Sequence, residues 1–497
     1  MSWRRKSSAS VAAPAAPVPE IPRAVWRIAY VVVLGGIMGI LDTTIVNVAL
    51  QSLATDLDTT LDNIQWVATG YLLALAATIP ISGWLARRVG AKRLYLASLL
   101  LFTLGSALCA VAWSSESLIL FRVLQGLGGG LTMPVGQMIM FKAAGPRNIG
   151  RLMAAMGVAM VLAPVFGPTL GGLLIEHAGW QWIFLINVPI GVVAFTLAQR
   201  ILPPDTADDP GRFDWLGFVL VVLGVVGLTY GLAESGQTGS FGSTQVVVPI
   251  AVGAVSLVAF VSHALRVPCA ILDIRLWSNP AFSAAGLTTV VLGATLFGGM
   301  ILMPLYFQIV RGEDVVKTGL LLIPQGIGAA IAMRLSARAT ERFGGGLTAM
   351  AGCVITLLAT LPFALIGATT SYWLICGAMV FRGFGIGMSM MPSWTAAFTV
   401  LRHDQINDAT PQLTVLQRVG GSMGTALLTV ILQNHLDDAG TPAAAASAFG
   451  DTYWIVMAMA FVAILPCAVL WQIERRTGGD EHEALVEAEL ATEAAGV

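Results

Sequence analysis

Residues 39–48 read GILDTTIVNV, which sets Asp42 inside a run, Ile28 to Leu50, that is otherwise apolar enough for a membrane helix. An ionisable side chain at the centre of such a helix costs about 2.5–3.5 kcal/mol on insertion scales, so it normally faces a cavity or a partner. The other ionisable groups so placed are Arg122, Arg334, Arg382 and Arg418. Asp42 lies eight residues from the end of its run and Arg122 seven from the start of its own near Ser115. At 1.5 Å per residue both are about 10–12 Å below the same surface, and pairing is geometrically permitted. Such a pair can do reversible protonation chemistry. Met38, Ile45, Val46 and Ala49 on the same helix face disfavour a charged carboxylate, whereas an approaching Arg122 favours it. A group whose protonation follows conformation can take a proton on one side of a membrane and release it on the other. The plainer use of the same residues is a static ion pair that locks two helices together.

Other chemistries find less support. GLGGG (126–130) and GFGIG (383–387) superficially suggest phosphate loops, but no strand precedes either and each lies in an apolar helix. In lipid, small residues so spaced let helices approach and slide. The stretch GVAMVLAPVFGPTLGG (157–172) adds Pro164 and Pro168, which remove backbone donors and bend a helix, as suits an interface that moves. The five cysteines lie far apart without paired spacing, and the five histidines fall at helix ends, loops or the tail. The sequence therefore offers no metal site and no catalytic constellation. The chain is expected to be no enzyme and to need no cofactor beyond a proton gradient as its energy source.

The elements that must position these residues follow from composition. Of 497 residues, 56% are hydrophobic and only 11% charged, against roughly 25% charged in soluble domains. There is no soluble basic domain that could bind nucleic acid. A bilayer-spanning helix needs about 20 apolar residues, and runs of that kind place spans at 26–50, 63–82, 94–113, 115–141, 150–175, 180–200, 214–234, 245–266, 280–310, 317–337, 347–368, 371–400, 410–434 and 451–472. The expected fold is an all-α integral membrane protein of fourteen transmembrane helices: two six-helix bundles plus two additional central helices. The first run is too long for a signal-peptide core and reads as a retained span. Alternate loops hold the basic residues, among them Arg87, Arg88, Lys92, Arg93, Lys142, Arg338 and Arg342, whereas the intervening loops hold only Arg311 and Lys317. Both termini are thereby expected to be cytoplasmic in a cell inner (cytoplasmic) membrane. The division is a tether at 1–25, a bundle at 26–200, linker helices and loops at 201–279, a second bundle at 280–473 and an acidic tail at 474–497. QGLGGGLTMP (125–134) resembles RGFGIGMSMMP (382–392), and GWLARRVG (83–90) lines up with ARATERFG (337–344). Duplicated bundles of this kind place a binding site near the membrane midplane, between halves that rock against each other.

Taken together, the motifs resemble the fourteen-span drug:proton antiporters of the major facilitator superfamily, over nearly the whole chain. LDTTIVNVAL (41–50) is similar to the family's helix 1 motif, GWLARRVGAKR (83–93) to its cytoplasmic gating loop and RVLQGLGGG (122–130) to its proton-relay motif. GPTLGG (167–172) resembles the antiporter signature, and WQWIFLINVPIG (180–191) the entry into helix 6. The resemblance implies Asp42 as the protonated acid and Arg122 as the relay residue. It implies Gly83, Arg88 and Gly90 at the inner gate, with Gly167, Pro168, Gly171 and Gly172 in the helix that separates exporters from importers. The chain departs from the pattern at Arg87, where an aspartate is common, at Gln51, where a proline is usual, and at Arg334, which is read as snorkelling to headgroups.

A cavity with one acid suits amphipathic, largely apolar compounds, including monocations that compete with the proton. Its expected wall is Trp66, Tyr71, Phe166, Tyr306, Phe307, Met390 and Trp394, with Gln308 and Gln325 as hydrogen-bonding groups. The function expected is proton-coupled multidrug efflux by alternating access. The alternative is a dedicated exporter of one endogenous metabolite, antibiotic or lipid. Expected partners are a small amphipathic substrate, protons and the lipid bilayer, with the carrier a monomer.

Overall fold

The computed structural model describes residues 21–144, 152, 156, 167, 169–204, 207–399, 401–402, 405–437 and 439–494, with backbone alone at 315, 399 and 477–494. These residues form a first set of helices α1 (Arg23–Asp56), α2 (Leu61–Ile64), α3 (Trp66–Thr78), α4 (Ser82–Val89), α5 (Ala91–Ala110), α6 (Ser115–Ala144), α7 (169–178), α8 (Gln181–Leu185) and α9 (Asn187–Ile201). Two linker helices follow, α10 (Trp215–Thr238) and α11 (Thr244–Ala264). The second set is α12 (Pro280–Leu305), α13 (Val315–Phe343), α14 (Gly345–Ala364), α15 (Tyr372–Thr399), α16 (Ile406–Asp437) and α17 (Pro442–Ala494). Among the described residues twelve helices are long and apolar enough to cross a membrane, and α2–α3 with α4 make a thirteenth span bent by 58°. The span expected at 150–175 lies mostly outside the described residues.

Local chemistry sets the helix starts. The Asp214 carboxylate accepts from the Gly217 amide at 2.9 Å, Asn279 from the Ala281 amide at 3.0 Å, and Asp314 from the Lys317 amide at 2.8 Å. Each satisfies an amide that the first turn leaves without a partner. The last helix begins at Pro442 rather than near 451, because the alanine-rich segment AAAASAFG favours helix as strongly as the apolar run after it. Farther along this helix, which continues to Ala494, Glu474 accepts from the Gly345 and Gly346 amides at 3.1 and 2.8 Å, so the packing of the second bundle reaches into the segment read as tail.

The two halves repeat their packing as well as their sequence. Gly90 and Gly344 end α4 and α13 with φ of 88° and 86°, a backbone that side chains disfavour. In α6, a Cβ on Gly126 would meet the Tyr71 carbonyl oxygen at 2.6 Å and one on Gly128 the Phe102 nitrogen at 2.6 Å. In α15, Gly383 abuts the Gln325 carbonyl and Gly385 abuts Thr356. The glycines thus seat the fourth helix of each half against the second and third alike. Gly328 in α13 meets α15 the same way, its missing Cβ occupied by the Val380 carbonyl oxygen. Gly328→Val is expected to cost about 1–3 kcal/mol by overpacking. A lowered Tm of the purified protein would show it, and an unchanged Tm would contradict it.

The ends of the molecule differ. At the arginine-rich end, here the basic end, one apolar cluster runs through both halves, with the Phe141 and Phe398 ring centroids 4.5 Å apart. At the opposite end the clusters are separate, one around Val67, Leu118 and Phe184 and another around Tyr306, Phe363 and Tyr453. The halves therefore close on each other at the basic end and part toward the other. Of the linker helices, α10 packs on both halves: Trp66 stacks on its Tyr230, and Gln433 of α16 donates to its Gly236 carbonyl at 3.1 Å.

Candidate functional site

α1 carries Asp42 and α6 carries Arg122 to one depth, and the structure brings them together: Nη1 of Arg122 donates to Oδ2 of Asp42 at 2.6 Å. Their exposures are 0% and 1%. A buried charge persists only when paired and hydrogen-bonded, and further partners supply this. Gln125 donates to Oδ1 of Asp42 at 2.8 Å and Asn187 at 3.0 Å, so the carboxylate has three donors. Arg122 also donates to the Gln125 side-chain oxygen at 2.8 Å and to the Val67 carbonyl at 3.0 Å. Asn187 is held in turn by Ser106 at 3.1 Å. Gln125, Asn187 and Ser106 were not among the expected partners of the pair, for which only ionisable groups stand out in an apolar run. Gln125 stands three residues after Arg122, on the same helix face, and was the one within reach of sequence logic.

A cavity of about 440 Å³ lies between the halves, lined from α1, α3, α5 and α6 on one side and α12, α13, α15 and α16 on the other. Neither Asp42 nor Arg122 is on its wall. Tyr71 stands between: its ring lies 4.0 Å from the Arg122 guanidinium carbon, and the same residue forms part of the cavity wall. Asp42, the acid expected to face substrate, is therefore buried behind the cavity wall and not on it.

Of the residues expected on the substrate wall, Tyr71, Gln325 and Met390 are there. Trp66 instead lies at the protein surface, 42% exposed, against Tyr230. Tyr306 is buried in the second half, where its hydroxyl donates to the Gly367 carbonyl at 2.7 Å, and Phe307 stacks on Tyr372. Gln308 is exposed on a π-helical turn, and Trp394 packs on Phe398 in the closed basic end. Side-chain type suits these residues to such a wall, but the positions they occupy lie off the cavity. Phe166 and Pro168 lie outside the described residues. Residues on the wall that were not expected include Arg418, Gln417 and Met300.

The expected gate residues meet different neighbours. Gly83 sits against the Asn407 carbonyl of α16, where a Cβ would overlap it. Among the described residues Arg88 makes a loose, exposed contact with Asp209 at 3.9 Å. Gly167 and Gly171 face Thr44 and Ile45 of α1, whereas Gly172 faces open space. The departure at Arg87 finds its counterpart across the halves: Arg87 donates to Asp408 of α16 at 2.7 Å, with side-chain exposures of 20% and 17%. This ion pair ties α4 of the first set of helices to α16 of the second at the basic end. Arg87→Asp is expected to loosen the basic end, and Arg87→Asp with Asp408→Arg to reclose it. For a pair so exposed the coupling should be on the order of 1 kcal/mol. A double-mutant cycle read as labelling of a cysteine placed at the buried Ala397 measures it; the absence of coupling would remove this tie.

Comparison with known proteins places this geometry. The family model described as Major Facilitator Superfamily matches residues 32–425. The Multidrug resistance protein B homolog of Mycobacterium tuberculosis is 39% identical over 409 residues, covering 82% of this chain and 76% of that protein. The uncharacterized MFS-type transporter YhcA of Bacillus subtilis is 32% identical over 409 residues, with the same 82% and 76% coverage. Among solved structures, the human organic anion transporter MFSD10 superposes with a TM-score of 0.64 at 14% identity, covering 90% of this chain and 99% of that one. The proton:xylose symporter XylE with bound 6-bromo-6-deoxy-D-glucose gives 0.62 at 13%, covering 89% and 95%. At such identities the likeness to these two structures is one of fold.

Proposed function

Because the chain belongs to the Major Facilitator Superfamily, and so is a multi-span membrane transporter rather than an enzyme, we propose that it expels amphipathic small molecules from the cell in exchange for protons, by alternating access. The observation that carries this reading is the Asp42–Arg122 pair: a fully buried carboxylate held by three donors and separated by one aromatic ring from a cavity between two halves. The names of relatives tied to multidrug resistance support the outward direction. A cavity of about 440 Å³ falls in the range of roughly 300–1,000 Å³ typical of small-molecule sites.

On this reading the basic end is cytoplasmic, with both termini, by the positive-inside rule. The closed end is then the cytoplasmic one, and the cavity faces outward. This is the state that awaits a proton. A proton passing Tyr71 to Asp42 neutralises the carboxylate and leaves Arg122 without its charged partner, which favours the opposite-facing state. There substrate enters from the cytoplasm, and loss of the proton re-forms the pair. Each proton supplies about 2.3 kcal/mol per 100 mV, and about 1.4 kcal/mol for each unit of pH difference.

The test is proton exchange driven by substrate. In vesicles holding the purified carrier and a lumenal pH dye, with the lumen made acidic, amphipaths of cationic, neutral and anionic kinds are added outside. Carrier-dependent acceleration of lumenal alkalinisation by any of them is the expected result. Uptake of a compound with no change in proton movement would overturn proton coupling.

A further inference from the structure

We propose that the central cavity takes amphipathic anions, with a carboxylate, sulfonate or phosphate head against Arg418 and an apolar body along the methionine-rich wall. The inference rests on the transport reading only in assigning the cavity to substrate.

Its basis is the charge around the cavity. Among the described residues on the wall, Arg418 is the only charged one. The stretch 152–175, much of which lies outside the described residues, contains no Asp or Glu in the sequence. Arg418 makes no hydrogen bond or ion pair among the described residues. Asp42, the nearby acid, is already engaged by three donors and screened by Tyr71.

A second cation lies behind the wall. Arg382 is 1% exposed; among the described residues its Nε and Nη2 make no hydrogen bond, its Nη1 reaches Gln325, itself on the wall, only at 3.5 Å, and its guanidinium carbon lies 5.9 Å from the Tyr453 ring. In the sequence repeat Arg382 takes the place of Gln125, yet residues 280–312 hold no acid to match Asp42. The second half thus brings two guanidiniums toward the cavity and no carboxylate. A low-dielectric wall strengthens such a field, and leaving buried cations unpaired is costly. A ligand that carries the missing negative charge relieves that cost. The planar guanidinium fork suits two-oxygen acids in particular. Met300, Met333, Met390 and Met391 supply a wall that adapts to apolar bodies of varied shape.

The experiment compares 8-anilinonaphthalene-1-sulfonate with N-phenyl-1-naphthylamine, which has the same ring system without the sulfonate. Equilibrium dialysis against the purified full chain, Arg418→Gln and Arg418→Lys gives both affinities without any gradient. The native protein is expected to hold the sulfonate about tenfold or more tighter than the neutral compound, the margin of one charge-assisted hydrogen bond. Arg418→Gln should bring the ratio near one, and Arg418→Lys should restore part of it. Equal affinities on the native protein, a ratio unmoved by Arg418→Gln, or tighter binding of cationic ethidium than of the sulfonate would overturn the assignment. Because binding is read at equilibrium, a carrier that prefers cations fails here yet still passes the proton-exchange test, and a carrier without proton coupling can pass here and fail that one.

Discussion

Asp42→Asn is expected to abolish substrate-driven proton exchange and to shift the carrier toward the state open at its basic end. Asparagine cannot release or take up the proton, so whatever exchange remains should no longer respond to a pH gradient. It also disturbs the pair. Arg122 loses its anionic partner, and the new amide nitrogen confronts the Gln125 or Asn187 donors that now point at Asp42. Removing one member of a buried ion pair costs about 3–5 kcal/mol in the state that contains it. Since 1.4 kcal/mol is a factor of ten, the closed state should lose two decades or more of population relative to one that does not use the pair. Pyranine alkalinisation reads the first effect, and labelling of a cysteine at position 397 reads the second. Undiminished substrate-driven proton exchange in Asp42→Asn would sink the assignment of Asp42 as the coupling acid.

Arg122→Leu should be the most destabilising single change at the site. It leaves Asp42 buried with two amide donors and no cation, and it strips the charge from the face of Tyr71. The expected loss is again about 3–5 kcal/mol. What distinguishes this from ordinary core damage is its rescue. Replacing both members of a buried pair with apolar groups of similar shape is often neutral or stabilising, so Arg122→Leu with Asp42→Leu should recover most of the Tm that Arg122→Leu loses, though not transport. A Tm unaffected by Arg122→Leu, or a double variant less stable than the single one, would show that the pair is not what holds α1 to α6.

The sequence by itself determined the membrane architecture. Apolar runs of helical length and the paired glycine motifs act within a few turns of chain, so the described spans, though not their exact ends, and the two-half sequence repeat were legible. Gly90 with Gly344 and Gly126 with Gly383 then adopt matching places in the structure. Asp42 and Arg122 were legible too, because a charge in an apolar run is conspicuous and depth follows from helical rise. Tertiary structure alone decided what each of these side chains meets. It put Tyr71 between the acid and the cavity, turned Trp66, Tyr306, Phe307, Gln308 and Trp394 away from that cavity, and brought Arg418 onto it. It also closed Arg87 on Asp408, 321 residues away. The physical reason is that helix formation and membrane insertion depend on near neighbours in the chain. The direction in which a helix face points, and the charge that balances another, depend on how distant helices pack.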